Sequence, residues 1–187
     1  MRTLALTVVM LFAVAALQVN RIDAEKNVRT AAASTQNKPN LKVTLLAART
    51  ILGKKDNLNL YVMIMNDDAL HDAFVYSELE FGYRAELVLI RRDGRGREVP
   101  TRFIHDYRPD PLDLNDPTSF VKLRPGNFLG VEYENSIYNL NLDKPGTYNL
   151  SVEYACPISS SEVKVKPFWG TESGSIASNV VAITVRP

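Results

Sequence analysis

The run LNLYVMIM at 58–65 alternates without a break. Successive side chains on a strand point to opposite faces. Leu58, Leu60, Val62 and Ile64 therefore share one face, and Asn59, Tyr61, Met63 and Met65 share the other. No window of the chain holds a sustained helical period instead. Shorter alternating runs recur at 43–47, 84–92, 129–133, 148–154 and 180–185, with weaker ones at 73–76 and 120–123. Between them stand turn formers: Asn66-Asp67-Asp68, Asp93-Gly94-Arg95-Gly96, Pro125-Gly126 and Pro145-Gly146. Arg97 to Phe103 reads as the returning arm of a hairpin. Residues 104–118 hold three Pro and four Asp and read as one long loop. Ile137 to Leu142 leads into the Pro145-Gly146 turn, and 156–174 is irregular apart from the alternation of Val163 and Val165. Many short strands separated by turns predict an all-β, antiparallel β-sandwich of about seven to nine strands.

The amino terminus does not share this pattern. Arg2 precedes LALTVVMLFAVAAL at 4–17, apolar apart from Thr7. A bilayer span takes about 20 residues, whereas this run has the length of a signal-peptide core. The polar QVNRIDA follows, and cleavage is expected after Ala24. The expected organisation is a removable signal segment at 1–24, a flexible linker at 25–40 rich in polar and small residues, and the sandwich at 41–187. The protein is expected to be secreted, periplasmic or extracellular, with no transmembrane segment in the mature chain.

Losing Arg2, Arg21 and Asp23 from 22 basic and 21 acidic residues leaves twenty of each. A neutral chain argues against nucleic acid, which needs clustered Lys and Arg. The local basic run RRDGRGR at 91–97 reads as a hairpin tip kept soluble by charge. The single Cys, Cys156, cannot form an internal disulfide, so an apolar core must hold the domain together. A region of roughly 145 residues is large enough to supply one.

The stretch DKPGTYNLSVEY at 143–154 combines a tight turn with a strand. Tyr148, Leu150, Val152 and Tyr154 point one way. Pro145 fixes φ and Gly146 takes the conformation other residues avoid. A Tyr just after such a corner resembles the tyrosine corner of immunoglobulin-like domains, where the phenol ties back to the backbone of the preceding loop. The resemblance implies structural roles for Tyr148, Gly146 and Leu150, with Leu150 where antibody domains place their second Cys. The inter-sheet disulfide is absent and Trp169 follows this strand, so the likeness is to the broad immunoglobulin-like architecture.

Chemistry-bearing residues are sparse. Cys156 and the two histidines, His71 and His105, could form a thiol and base, but EYACPIS carries no nucleophile signature. GSIAS at 174–178 lacks the helix that a nucleophilic serine elbow requires. Asp110, Asp113 and Asp116 could offer oxygens to calcium, yet their spacing fits no Ca²⁺ loop, and Asx turns account for them. Asn149-Leu150-Ser151 fits a glycosylation sequon inside a strand. No cofactor and no catalytic residue is predicted. Tyr107, Phe168 and Trp169 sit in polar, Pro-containing loops, and sandwiches carry recognition on loops. Phe168, Trp169, Tyr107 and Lys166 are therefore the predicted binding residues, with 166–171 expected to project from the sheet.

These features predict a non-catalytic exported binding or structural module. It would act through loops or sheet edges on a protein or cell-envelope component. A second expectation is an exported protease inhibitor. KPFWG at 166–170 resembles the basic-Pro-aromatic loop of the immunoglobulin-like chagasin family. The Asn-Pro-Thr-Thr-Gly loop of that family is missing, and NDDAL at 66–70 occupies a strand end instead.

Overall fold

A computed structural model describes residues 38–82, 86–100 and 114–187, all within the compact unit Lys38–Pro187. The signal segment, the linker through Asn37, and Tyr107, Asp110, Asp113 and His105 lie outside the described residues. No helix among the described residues is long and apolar enough to cross a membrane.

The domain is an all-β sandwich. One sheet runs β1–β3–β7, formed by Leu41–Ala47, Asn57–Asn66 and Phe128–Ser136, all antiparallel. The other runs β2–β10–β8–β5, formed by Ile51–Leu52, Val181–Val185, Gly146–Ala155 and Leu87–Asp93. Only β2 joins it in parallel. The short β9 (Ser175–Ala177) pairs with β8, and β4 (Ala73–Tyr76) pairs with β6 (Phe120–Leu123) apart from both sheets. The count exceeds the expected nine because β2 and β9, of two and three residues, are too short to show a period.

The alternation sets the faces. Leu58, Leu60, Val62 and Ile64 are all fully buried, in one core with Leu150, Val152 and Tyr154 of β8 and Ile183 of β10. Each such side chain contributes about 1.5–3 kcal/mol on leaving water. The corner before β8 is closed as the resemblance implies. Gly146 has φ 155°, and the Tyr148 hydroxyl donates to the Lys144 carbonyl at 2.9 Å.

Three local expectations are corrected, and one segment left without an assignment is placed. Lys38–Asn40 is held rather than flexible: Pro39 is buried, and Asp67 N–H donates to the Asn40 carbonyl at 2.8 Å. The return of the 93–96 hairpin is a single bridge between Arg92 and Glu98 rather than a strand, and 101–103 are not described. Arg91 is buried instead of serving the soluble tip, because it alternates inward with Leu87 and Leu89. Ile137–Leu142 forms successive turns that bury Ile137, Leu140 and Leu142, with Asn141 at φ 58°.

The outer edge of β1 is closed by one side chain. Leu45 N–H donates to Asn179 Oδ1 at 2.9 Å, and Asn179 Nδ2 donates to the Leu45 carbonyl at 3.0 Å. The carboxamide copies a strand partner and ties β1 to the β9–β10 connection.

Candidate functional site

The predicted aromatic loop is a core element. Phe168 and Trp169 are each 3% exposed. The backbone from Pro167 to Trp169 adds to β4: Phe74 N–H donates to the Pro167 carbonyl at 2.8 Å, and Trp169 N–H donates to the Phe74 carbonyl at 3.0 Å. Phe168 meets Phe120 edge-on, with ring centroids 5.5 Å apart. Lys38 closes the outside of Trp169. Its Nζ stands 4.5 Å from the ring centroid and donates to the Ser173 carbonyl at 2.6 Å. Pro167 and Gly170 do interrupt strand continuation, but the open edge of β4 supplies a partner and draws the aromatics inward.

Polar side chains pin this corner. Glu172 accepts from the Ser160 N–H at 2.8 Å and from the Ser160 and Ser159 hydroxyls. Those bonds, the Ser160 hydroxyl foremost, pull its carboxyl from the ordinary 4.5 to about 2. Lys166 Nζ donates to the Ser160 carbonyl. A Cβ on Gly170 would lie 2.5 Å from Ser160 N and 2.9 Å from the Ile158 carbonyl, so only glycine fits there. A serine, a carboxylate and a lysine thus converge, but not as a nucleophile system. So weak a base cannot take a hydroxyl proton at neutral pH, and the ammonium faces a carbonyl rather than Oγ.

The other predicted groups are also placed in structural roles. Cys156 is buried just past β8, and burial pushes its thiol up to about 12, so it stays protonated and unreactive at neutral pH. Asp116 caps the 3-10 turn Pro117–Ser119 by accepting from Thr118 N–H at 2.8 Å. Among the described residues no three His, Cys, Asp or Glu side chains are arranged to hold a metal.

Sequence reasoning passed over the loop after β3. Asn66 is fully buried. Its Nδ2 donates to the carbonyls of His71 and Leu123 at 2.8 and 2.9 Å, and its Oδ1 accepts from Asp68 N–H at 3.1 Å. Asp68 Oδ1 in turn accepts from Leu70 N–H at 2.8 Å and His71 N–H at 3.0 Å, and pairs with His71 Nδ1 at 3.1 Å. The Leu70 and His71 N–H groups hold the Asp68 carboxyl below its usual range. Two backbone bonds join this loop to the Pro125-Gly126 turn: Gly126 N–H to the Asn66 carbonyl, and Asn66 N–H to the Asn127 carbonyl. The result is a small loop, cross-tied by Asn66 and Asp68, that holds Leu70 out in water at 82% exposure. The only sequence signal was a Leu following Asn-Asp-Asp, outside any alternation.

A second apolar surface lies on the outer face of β1–β3–β7, where strand register places three rows. They are Lys42–Met65–Phe128, Thr44–Met63–Gly130 and Leu46–Tyr61–Glu132. Phe128 is 59% exposed, Leu46 47% and Tyr61 40%.

No family model matches the chain, and no curated protein matches it. Among solved structures, a β-glucosidase from Erythrobacter marinus aligns with a TM-score of 0.38 and 16% identity. The alignment covers 79% of this chain and 16% of that one, so the chain spans well under two thirds of that enzyme. A likeness at this level transfers neither fold nor activity.

Proposed function

We propose that the protein is a non-catalytic, exported binding or structural module of immunoglobulin-like layout. It recognises a protein or cell-envelope component through the loop at 67–71. Export rests on the apolar run at 4–17 and the polar stretch to Ala24. The layout is supported by the two facing sheets, the parallel pairing of β2 with the last strand, and the Tyr148 tie ahead of the central strand β8. The non-catalytic reading is supported by the chemistry of Glu172, Lys166 and Cys156, each committed to structure.

One observation carries the reading. Among the described residues Leu70 is the most exposed of the large hydrophobic side chains, on a loop pinned by the side chains of Asn66 and Asp68. A loop fixed before contact loses little entropy on binding. A photo-crosslinking residue placed at 70 in exporting cells, with a second at exposed Val180 as reference, tests this. One defined adduct specific to position 70 is expected. Equal labelling from both positions would overturn the reading.

The inhibitor reading remains as the second, with a different loop. The aromatic pair of KPFWG is buried, whereas 67–71, joined to the Pro125-Gly126 turn, presents Leu70 for entry into a cleft. Inhibition of any protease in a class-spanning panel, lost in Leu70→Asp, would favour it over the first.

A further inference from the structure

We propose that the outer face of β1–β3–β7 binds a second copy of this chain across a two-fold axis passing through Met63. The proposal goes beyond the binding role and does not depend on it, since Leu70 takes no part.

The two central strands of the sandwich differ on their outer sides. β8 turns out only polar side chains, exposed Asn149, half-buried Glu153 and, between them, Ser151, which is covered. β3 turns out Tyr61, Met63 and Met65. Leu46 and Phe128 flank them, and the Phe128 ring leans over Gly130, 3.7 Å from where a Cβ would stand. Three rows of three positions on adjacent strands make a continuous face with apolar side chains through its middle.

Charge selects the occupant. Lys42 stands at one corner of the grid, and Glu132 at the corner diagonally opposite, with Glu134 beyond it. The corners lie about 17 Å apart, from two strand spacings and four residues of rise. Among the described residues neither Lys42 nor Glu132 enters an ion pair. Glu132 instead takes the Tyr61 hydroxyl. Met63 lies midway between the corners. Half a turn about an axis in the plane of the face, through Met63, exchanges them. Lys42 of each copy then meets Glu132 of the other, and this pair forms twice. Met63 meets its own counterpart, and the remaining apolar side chains meet on either side. A self-complementary patch is what an isologous interface requires. Nine positions a side fall short of the 20–30 residues of a standard interface, so the dimer is weak, with a dissociation constant on the order of 100 µM.

Sedimentation velocity on the purified full chain, from about 10 µM to 1 mM, brackets that constant. A shift from monomer to dimer is expected. Met63→Lys places two ammonium groups together on the axis and should weaken association at least about tenfold. Lys42→Glu should weaken it by roughly tenfold. Combining Lys42→Glu with Glu132→Lys should restore it. Lys42 and Glu132 are exposed and Met63 is half-buried, and circular dichroism checks each fold. Should Met63→Lys fail to fold, the charge exchange decides alone. A monomer at every concentration, a dimer indifferent to Met63→Lys, or a double variant no tighter than Lys42→Glu would each overturn the proposal.

Discussion

The loops at 66–72 and 156–174 are built by the same device and end in opposite states. In each, a carboxylate gathers backbone N–H groups: Asp68 those of Leu70 and His71, and Glu172 that of Ser160. The first loop turns a Leu into water, and the second turns Phe168 and Trp169 into the core. The second loop is richer in apolar residues and alone holds Pro and Gly, but Pro and Gly only interrupt its strand and do not turn its aromatics inward. What differs is the neighbour. Beside 167–169 lies an open strand edge, Phe74 of β4, which takes the backbone and carries the side chains inward. Beside 67–71 the His71 and Leu123 carbonyls are taken up by Asn66 and the Asn66 carbonyl by Gly126, and Leu70 is left 82% exposed. Whether a loop residue is presented or buried depends on which edges its backbone finds unpaired.

The largest effect should come from emptying the inward loop. Trp169→Ala removes a buried side chain beneath Lys38, and the surrounding corner cannot collapse around Gly170. A stability loss of about 3–5 kcal/mol in denaturant melts is expected. As the only Trp, it should also emit blue-shifted light and resist acrylamide in the wild type. A variant melting with the wild type would mean the aromatic is presented after all, and the comparison would collapse.

The outward loop has its own keystone. Asn66→Ala strips partners from the His71 and Leu123 carbonyls and from Asp68 N–H in one step. Buried polar groups left unpaired cost about 1–3 kcal/mol each, and water should reach some of them, so a loss of roughly 2–4 kcal/mol is expected. Hydrogen exchange at Leu70 and His71 should rise with it. A stable variant with unchanged exchange would show that the loop is not fixed before binding.

Period-two alternation made the sandwich legible, and Leu58–Ile64 and Tyr148–Tyr154 bury the faces it assigned. Tyr148 was legible too, since its corner hydrogen bond needs only the local sequence 144–148. The site was not, for two reasons. Burial of Phe168 and Trp169 depends on Phe74, about a hundred positions away in the chain, and no local pattern announces that pairing. Exposure of Leu70 depends on Asn66 reaching Leu123, another long-range contact. The outer face fell between these cases. The alternation placed Met63 and Met65 outward, but their alignment with Phe128 and Lys42 needs the register of three strands.

A smaller effect, dependent on pH, separates the two carboxylates. Glu172 is depressed to about 2 in the folded protein from 4.5. A depressed carboxyl stabilises the fold fully above the unfolded value and loses that contribution as pH falls through the folded one. Wild type should therefore lose stability between about pH 4.5 and 2, and Glu172→Gln should flatten that limb while lowering stability at pH 7. Asp68 is shifted the same way, so Asp68→Asn should remove a further part. If Glu172→Gln leaves the acid limb unchanged, Ser160 does not anchor the corner through the carboxylate.

The smallest expected effect is also the most specific. Leu70→Asp changes a side chain that stands largely in water, so stability should stay within about 0.5 kcal/mol of wild type. The loop itself should persist, because its bonds run through the Leu70 N–H and not its side chain. The new carboxylate would lie near Asp68, whose charge is already shared between two N–H groups and the His71 ring, so repulsion should be slight. Binding should respond differently. A single apolar anchor replaced by a charge usually removes about 2 kcal/mol or more at an interface. The pairing of an unchanged melt with lost crosslinking or inhibition marks a presented residue. Trp169→Ala should give the reverse order, a large loss of stability with any loss of binding following from unfolding. Should Leu70→Asp instead destabilise the fold by an amount near that of Trp169→Ala, Leu70 would be covered in solution, and the contrast between the two loops would be lost.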